Sequence, residues 1–307
     1  MKLKALALIS GGLDSILAAL LIQKQGIKVT GLVFKSAFFD PSSIKKTLKK
    51  YNLPLRIVNI SEKHLKIVKK PEYGYGKVMN PCLDCHLLML KEAKKLIKNP
   101  GFSFIITGEV LGQRPFSQNK NSLNLLEKKA NLKGLILRPL SAQILEETIP
   151  EKKGWVNRDK LLDISGRSRQ IQLKLRKKFK LTGYSTPGTA CILTDPQFGK
   201  RLKNLLKYHS FASLNDILLL KFGRHFWKDS NLIVVGRNDK ENKLLKKCTQ
   251  KSDLLFELKS FTGPLVLVRT YQKRTLKKTL SEAKKLLCFY SRHTREKPLP
   301  EVEFRYL

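Results

Sequence analysis

In the first hundred residues, short apolar, β-branched runs alternate with stretches in which apolar side chains recur every three or four positions. Residues 6–9, 28–34 and 55–60 predict strands, and residues 14–25 and 41–51 predict helices between them. Leu13, Leu17, Leu20 and Leu21 form the stripe that would pack the first helix onto a sheet. A helix over 85–98 and strands over 102–107 and 135–137 continue the alternation, which predicts an α/β fold built on a doubly wound parallel sheet. Residues 150–205 read as helices and loops closing this domain, with Pro187-Gly188 and Asp195-Pro196 as breaks. After Tyr208 the pattern changes to strands over 231–235 and 265–269 and helices over 240–248 and 276–289, a small α+β unit. Two domains are therefore expected, 1–205 and 206–307.

Between the first strand and the first helix stand Ser10, Gly11, Gly12, Leu13, Asp14 and Ser15. A strand delivers the chain, two glycines let it turn tightly with N–H groups exposed, and the helix points its positive end at an anion. The Gly-Lys-[Ser/Thr] ending of a Walker A loop is missing, and so is the spaced-glycine dinucleotide fingerprint. An ordinary glycine turn capped by Asp14 or Ser15 would satisfy the same local pattern. The six residues resemble the PP-loop of ATP pyrophosphatases, which implies an enzyme that grips the pyrophosphate of ATP, transfers AMP to an oxygen atom and releases pyrophosphate.

Composition narrows the partners. The chain of 307 residues is 42% hydrophobic, enough for a sizeable core, and carries 61 Lys and Arg against 24 Asp and Glu, a net charge of +37. Residues 201–307 hold 24 basic and 10 acidic side chains, so the excess is not confined to a tail. A polyanion is the expected partner, and nucleic acid fits better than a membrane because no run approaches 18 uninterrupted apolar residues. Met1-Lys2-Leu3-Lys4 runs straight into the first strand without a cleavable leader, so a cytoplasmic location is expected. Five cysteines in such a chain argue against a disulfide framework and point to metal or redox chemistry.

Asn80-Pro81-Cys82-Leu83-Asp84-Cys85-His86 places two thiols three residues apart where a helix begins. The helix end favours thiolate, so depressed thiol pKa values and metal binding are expected there. A four-cysteine zinc site needs a second pair, and Cys191, Cys248 and Cys288 are isolated in sequence. Cys82, Cys85 and one distant thiol would suffice for an iron–sulfur cluster with one iron left open. Cys191, in the glycine- and proline-punctuated stretch 186–196, is the best third ligand; a small buried hydrophobe is its bland alternative. Cys248 and Cys288 lie in helical patterns and read as structural, and His86 reads as a helix-start histidine hydrogen-bonded locally.

With these residues in hand, the chain resembles the tRNA 4-thiouridine synthase family of tRNA sulfurtransferases, in the form carrying a Cys-x-x-Cys pair. Residues Ser10 to Ser15, Asn80 to His86, and Thr107-Gly108-Glu109-Val110-Leu111-Gly112-Gln113-Arg114 carry the likeness, with Arg138-Pro139-Leu140 and the Cys191 stretch following in the expected order. The resemblance implies ATP-dependent tRNA thiolation, in which a uridine carbonyl is adenylated and its oxygen replaced by sulfur, with 4-thiouridine the expected product and AMP and pyrophosphate released. It implies ATP and Mg²⁺ at Ser10, Gly11, Gly12, Leu13, Asp14, Ser15, Gly108 and Gln113, with Arg114 neutralising phosphate charge. It further implies catalytic roles for Asp14, Cys191, Cys82 and Cys85, the three cysteines holding a 4Fe–4S cluster or, in a competing route, Cys191 acting as a persulfide. The sulfur would come from sulfide or a cysteine desulfurase.

Known members carry an amino-terminal THUMP region, whereas the phosphate loop here begins at residue 10, so another part must hold the tRNA. Phe222-Gly223-Arg224-His225-Phe226-Trp227, Val234 to Asn242 and Gly263 to Val268 resemble the NFACT-type RNA-binding domain, and Arg224, Arg237 and Lys240 are its candidate RNA contacts. A homodimer built on this module is the competing role. Thiolation of another base, 2-thiouridine or 2-thiocytidine, and a non-catalytic RNA- or ribosome-binding protein stand as alternatives.

Overall fold

Strands β1 (Lys4–Leu8), β2 (Lys28–Lys35), β3 (Leu55–Asn59), β4 (Phe104–Ile106) and β5 (Ile136–Leu137) pair in parallel in the order β3-β2-β1-β4-β5. The computed structural model describes residues 3–40, 44–98, 101–184, 191–271, 276–295 and 303–307. The chain divides into two compact units, Met1–Asp195 and Pro196–Leu307. Parallel neighbours need crossovers, and α1 (Leu13–Gln23), α2 (Ile44–Lys50), α3 (Ser61–Lys69), α4 (Cys82–Lys98) and α5 (Lys120–Ala130) supply them. Side chains alternate between the two faces: Ala5, Ala7, Phe104 and Ile106 join one core with α1, and Leu6, Leu32, Ile105 and Ile136 join another with α4 and α5. The small Ala5 and Ala7 let α1 pack close, and its Ile16, Leu17, Ala18, Ala19 and Ile22 are buried. Truncating Leu17 to Ala would cost about 2–5 kcal/mol.

The strand order reverses between β1 and β4, so the crevice beyond the carboxyl ends of these two strands is where such a sheet binds its ligand. Both segments singled out in the sequence, the loop after β1 and the run beginning at Thr107, open into that crevice. The sequence reading placed this sheet correctly in class and in strand positions, but α4 begins at Cys82, three residues earlier than expected, and α3 and α5 were not anticipated. The expected helix start at residue 41 lies outside the described residues. Short α6 (Ile149–Lys152) and then α7 (Gln170–Lys178) complete the unit, α7 packing beside α1.

The second unit opens with α8 (Pro196–Tyr208), not at residue 206 as expected. Phe198, Leu202 and Leu205 are buried, Arg201 donates to the Leu220 carbonyl at 3.0 Å, and Tyr208 stacks on Trp227 at 4.7 Å, which ties α8 to this unit. After α9 (Leu214–Leu219), strands β6 (Arg224–Lys228), β7 (Asn231–Val235), β8 (Leu254–Leu258), β9 (Val266–Arg269) and β10 (Phe304–Tyr306) form an antiparallel sheet, order β10-β8-β9-β7-β6. Helix α10 (Asp239–Cys248) joins β7 to β8, and α11 (Leu276–Tyr290) covers one face through Ala283 and Leu287. Cys248 and Cys288 are buried, as expected of structural residues. Arg269, 2% exposed, is held by Asp216 at 2.9 Å, Asp253 at 2.7 Å and the Cys248 carbonyl at 2.8 Å. Among the described residues, no helix is long and apolar enough to cross a membrane.

Candidate functional site

Gly11 takes a positive φ of 87°, the left-handed region that glycine enters without strain, and turns the chain out of β1. Gly12 then stands extended at the start of α1 with no side-chain cap. An ordinary capped turn would have used Asp14 or Ser15 for that purpose. Instead Ser15 Oγ donates backwards to the Gly12 carbonyl at 2.9 Å, and Ser10 Oγ accepts from Gly12 N at 3.4 Å. Among the described residues no side chain caps the first turn of α1, which is the state an anion completes.

The segment after β4 is fitted against this loop. A Cβ built on Gly108 would lie 2.4 Å from Ser15 Cα and N and 2.6 Å from the Asp14 carbonyl carbon, so only glycine lets the two backbones meet. Gln113 Nε2 donates to Asp14 Oδ2 at 2.9 Å, and Arg169 approaches the same oxygen at 3.5 Å. Asp14 Oδ1 and Gln113 Oε1 are buried without a hydrogen-bond partner among the described residues. These spare acceptor oxygens suit a hard cation such as Mg²⁺. Arg169 escaped the sequence reading. It ends the run Ser165-Gly166-Arg167-Ser168-Arg169, docked through a Gly166 N–H bond of 2.7 Å to the Leu111 carbonyl, and a glycine followed by two arginines ahead of a helical pattern was the available signal.

The same segment reaches the thiols. Glu109 Oε1 accepts from His86 Nδ1 at 3.2 Å, and Glu109 Oε2 accepts from Thr107 Oγ1 and Arg138 Nε, each at 3.0 Å; Arg138 also pairs with Glu127. Burial pushes the Glu109 carboxyl up, but the Arg138 guanidinium and His86 prevail and hold it down at about 2. His86 is thus bonded across the site rather than locally, contrary to expectation. Asp84 in the first turn of α4 accepts from the Glu72 and Tyr73 amides at 2.8 and 3.1 Å and anchors the preceding loop, while Asn80 Nδ2 donates to Cys82 Sγ at 3.2 Å.

Cys82 and Cys85 occupy the first turn of α4, and Cys191 joins them from beyond the phosphate-loop domain's last strand. Burial raises the Cys85 thiol well above its ordinary value, and the charges of Cys191 and Cys82 raise it further. Burial likewise lifts Cys191 to about 11, with Cys82 adding and Arg114 opposing. The expected thiolate at the helix start is therefore corrected for Cys85: desolvation outweighs the helix dipole, and Cys191 is likewise held as a thiol. The electrostatic coupling nonetheless makes the three cysteines neighbours. It also puts the Arg114 charge beside Cys191, whereas the sequence had assigned that residue to phosphate. Residues 186–190 of the Cys191 stretch lie outside the described residues. Among the described residues no group of three His, Cys, Asp or Glu is set to hold a single metal ion. An iron–sulfur cluster spreads its thiolates over separate irons, and the three free, half-buried cysteines are of the residue type that chemistry needs.

In the second unit Arg224 lies over the Tyr290 ring at 4.3 Å. Arg237 is engaged by Glu241, through Nε at 2.9 and 3.0 Å and through its terminal nitrogen, while Glu241 also accepts from the Gly223 and Arg237 amides at 3.2 and 3.0 Å. That carboxylate pins the turn before β6 to α10, so Arg237 has a structural partner. Lys240 is exposed.

Comparison with known proteins adds the lineage. Residues 1–150 match the family model of the thiamine biosynthesis protein ThiI, and residues 223–306 match the NFACT protein RNA-binding domain. A tRNA sulfurtransferase of Desulfurococcus amylolyticus is 32% identical over 155 residues, 48% of this chain and 31% of the relative. A tRNA-specific 2-thiouridylase, MnmA, of Caldicellulosiruptor saccharolyticus is 24% identical over 227 residues, 65% of this chain and 58% of the relative. A 4-thiouridine synthetase solved as an RNA complex with bound ATP aligns at 20% identity and a TM-score of 0.46, over 71% of this chain and 52% of that one. The match spans about a third of the length of that curated sulfurtransferase, and the family-model match ends at residue 150, short of Cys191. The chain is thus similar to the ThiI family over residues 1–150 and to the NFACT protein RNA-binding domain over residues 223–306.

Proposed function

We propose that this protein is an ATP-dependent tRNA sulfurtransferase that converts a uridine to 4-thiouridine. The observation carrying the proposal is the reach of the segment 107–114. Gly108 packs on the Asp14–Ser15 backbone, Gln113 bonds Asp14, and Glu109 bonds His86, the residue after Cys85, which supports one crevice for phosphate grip and thiols.

In this reading the uracil O4 attacks the α-phosphorus of ATP, and pyrophosphate leaves with the electron pair of the broken P–O bond. The amides of Gly11 and Leu13 would hold that pyrophosphate, with the Gly12 amide and the Ser10 and Ser15 hydroxyls turning to it from their bonds within the loop, and Leu13 anchors the turn to the core. Gln113 and Arg169 fix the Asp14 carboxylate, whose free Oδ1 would take Mg²⁺ and so align the phosphates. Hydrosulfide sulfur then adds at C4, AMP departs with the former uracil oxygen, and no net oxidation or reduction occurs. A 4Fe–4S cluster on Cys82, Cys85 and Cys191 would supply this sulfur at an iron the protein does not ligate. The Cys82-x-x-Cys85 pair has no evident task in a route through a Cys191 persulfide, which favours the cluster. The NFACT-type domain, with Arg224 and Lys240, would hold the tRNA, in the cytoplasm, and the sulfur donor would be sulfide or a cysteine desulfurase.

Mass spectrometry of tRNA nucleosides from strains with and without the gene tests the product. Loss of 4-thiouridine alone is the expected result; loss of 2-thiouridine or 2-thiocytidine instead would transfer the same chemistry to another carbonyl, and an unchanged profile would contradict thiolation. Cluster binding has its own readout: protein purified without oxygen should hold iron and absorb broadly in the visible, and Cys191→Ser should lose both.

A further inference from the structure

The second unit contains a cavity of about 340 Å³ between α8, β6 and the end of α11. Lys200, Arg201, Arg224, Phe226, Trp227 and Tyr290 line it, and among the described residues no carboxylate does. Its cations are held in place: Arg224 lies over the Tyr290 ring at 4.3 Å, and Arg201 donates to the Leu220 carbonyl at 3.0 Å. Its aromatic wall is equally fixed, with Trp227 stacked on Tyr208 at 4.7 Å. Cations and rings on one wall call for a ligand that is anionic at one end and flat and apolar at the other. The volume is at the low end of the roughly 300–1,000 Å³ of small-ligand sites, room for one nucleotide and far too little for a duplex.

We propose that this cavity seats a single unpaired RNA nucleotide, with its phosphate on Lys200, Arg201 and Arg224 and its base against Trp227 and Tyr290. Paired bases keep their faces stacked on each other and cannot offer one to a protein ring, so single-stranded ends and loops are selected. The inference rests on the tRNA-acting role proposed above and specifies how the RNA is held. A free mononucleotide presents the same chemistry and is the alternative source.

The chain has two tryptophans, so in full-length Trp155→Phe protein Trp227 reports alone. Titration without ATP, with a short single-stranded oligoribonucleotide, a duplex of equal length and AMP, should quench Trp227 saturably with the single strand. Affinity for the duplex and for AMP should each be at least about tenfold weaker, as loss of base stacking or of the flanking chain implies. Lys200→Ala removes an exposed side chain and should weaken the single strand about tenfold. Equal affinity for duplex, AMP binding as tightly as the strand, or an unchanged Lys200→Ala protein would each overturn the proposal. Protein that forms AMP with tRNA yet fails this titration would refute the cavity alone, whereas protein that passes it and forms no AMP would refute the enzymatic reading alone.

Discussion

At the scale of single residues, Asp14 is the point on which phosphate chemistry turns. Asp14→Asn keeps shape and the Gln113 contact but removes the charge, so AMP formation should fall by at least about 10²-fold, the size of loss seen when one preorganised electrostatic contact is removed. RNA affinity, measured by filter binding, should stay within about twofold, and surviving AMP formation would show that the assigned loop is not the site. A second residue-scale prediction concerns His64, fully buried, its Nδ1 2.8 Å from Ser36 Oγ and its Nε2 without a partner among the described residues. Burial lowers it to about 4, as it does His225. Between about pH 4 and 6.5 the unfolded chain binds these protons and the folded one does not, so their contribution to stability is complete above pH 6.5 and is lost as pH falls toward 4. Urea midpoints should drop across that window, and the drop should shrink in His64→Gln; a variant following the parent curve would contradict the assignment.

At the scale of elements, the site is an apposition of α1 with the run after β4. Gly108→Ala forces a Cβ into the Ser15 backbone and should cost at least about 1–3 kcal/mol, read as a lower Tm, together with ATP turnover. Unchanged stability and turnover would mean the elements are not in contact. Arg169, entering from the start of α7, makes a charge-assisted contact worth about 1.5–3 kcal/mol if it passes to the nucleotide, so Arg169→Ala should raise the KM for ATP by about 10- to 100-fold. An unchanged KM would leave Arg169 a partner of Asp14 only. These elements differ in how far the sequence discloses them. The loop was legible because Gly11 and Gly12 stand between an apolar run and a helical stripe, and β1, β2 and β3 because their runs are short and nearly all apolar. Helix α5 was not, since only Leu123, Leu126 and Ala130 of its residues face the core and lysines and asparagines obscure the period. The thiols were located but their protonation was not: helix position is local and visible, whereas the burial that raises Cys85, and the charge of Cys191 that adds to it, arise only on folding. Arg169 meets Asp14 across 155 residues, a contact no local pattern encodes.

At the scale of the whole molecule, +37 is spread over both units and implies binding dominated by phosphates. If about six phosphates are engaged, tRNA affinity should fall roughly 10³-fold between 50 and 200 mM salt, measured by fluorescence anisotropy. A flat salt profile would remove the backbone as the main contact. The boundary at residue 195 shows why charge and composition alone misplace a domain edge: α8 is as basic as its surroundings, and its attachment to the second unit is written in Phe198, Leu202, Leu205 and Tyr208, which find their partners only after folding. In the proposed reaction ATP is split between its α and β phosphorus atoms in the crevice beyond β1 and β4, with an RNA base as acceptor. Thin-layer analysis of α-labelled ATP incubated with the purified protein and unmodified tRNA tests it most directly. AMP with equimolar pyrophosphate, stimulated by the tRNA, is the predicted result; ADP, or no cleavage with and without tRNA, would contradict it.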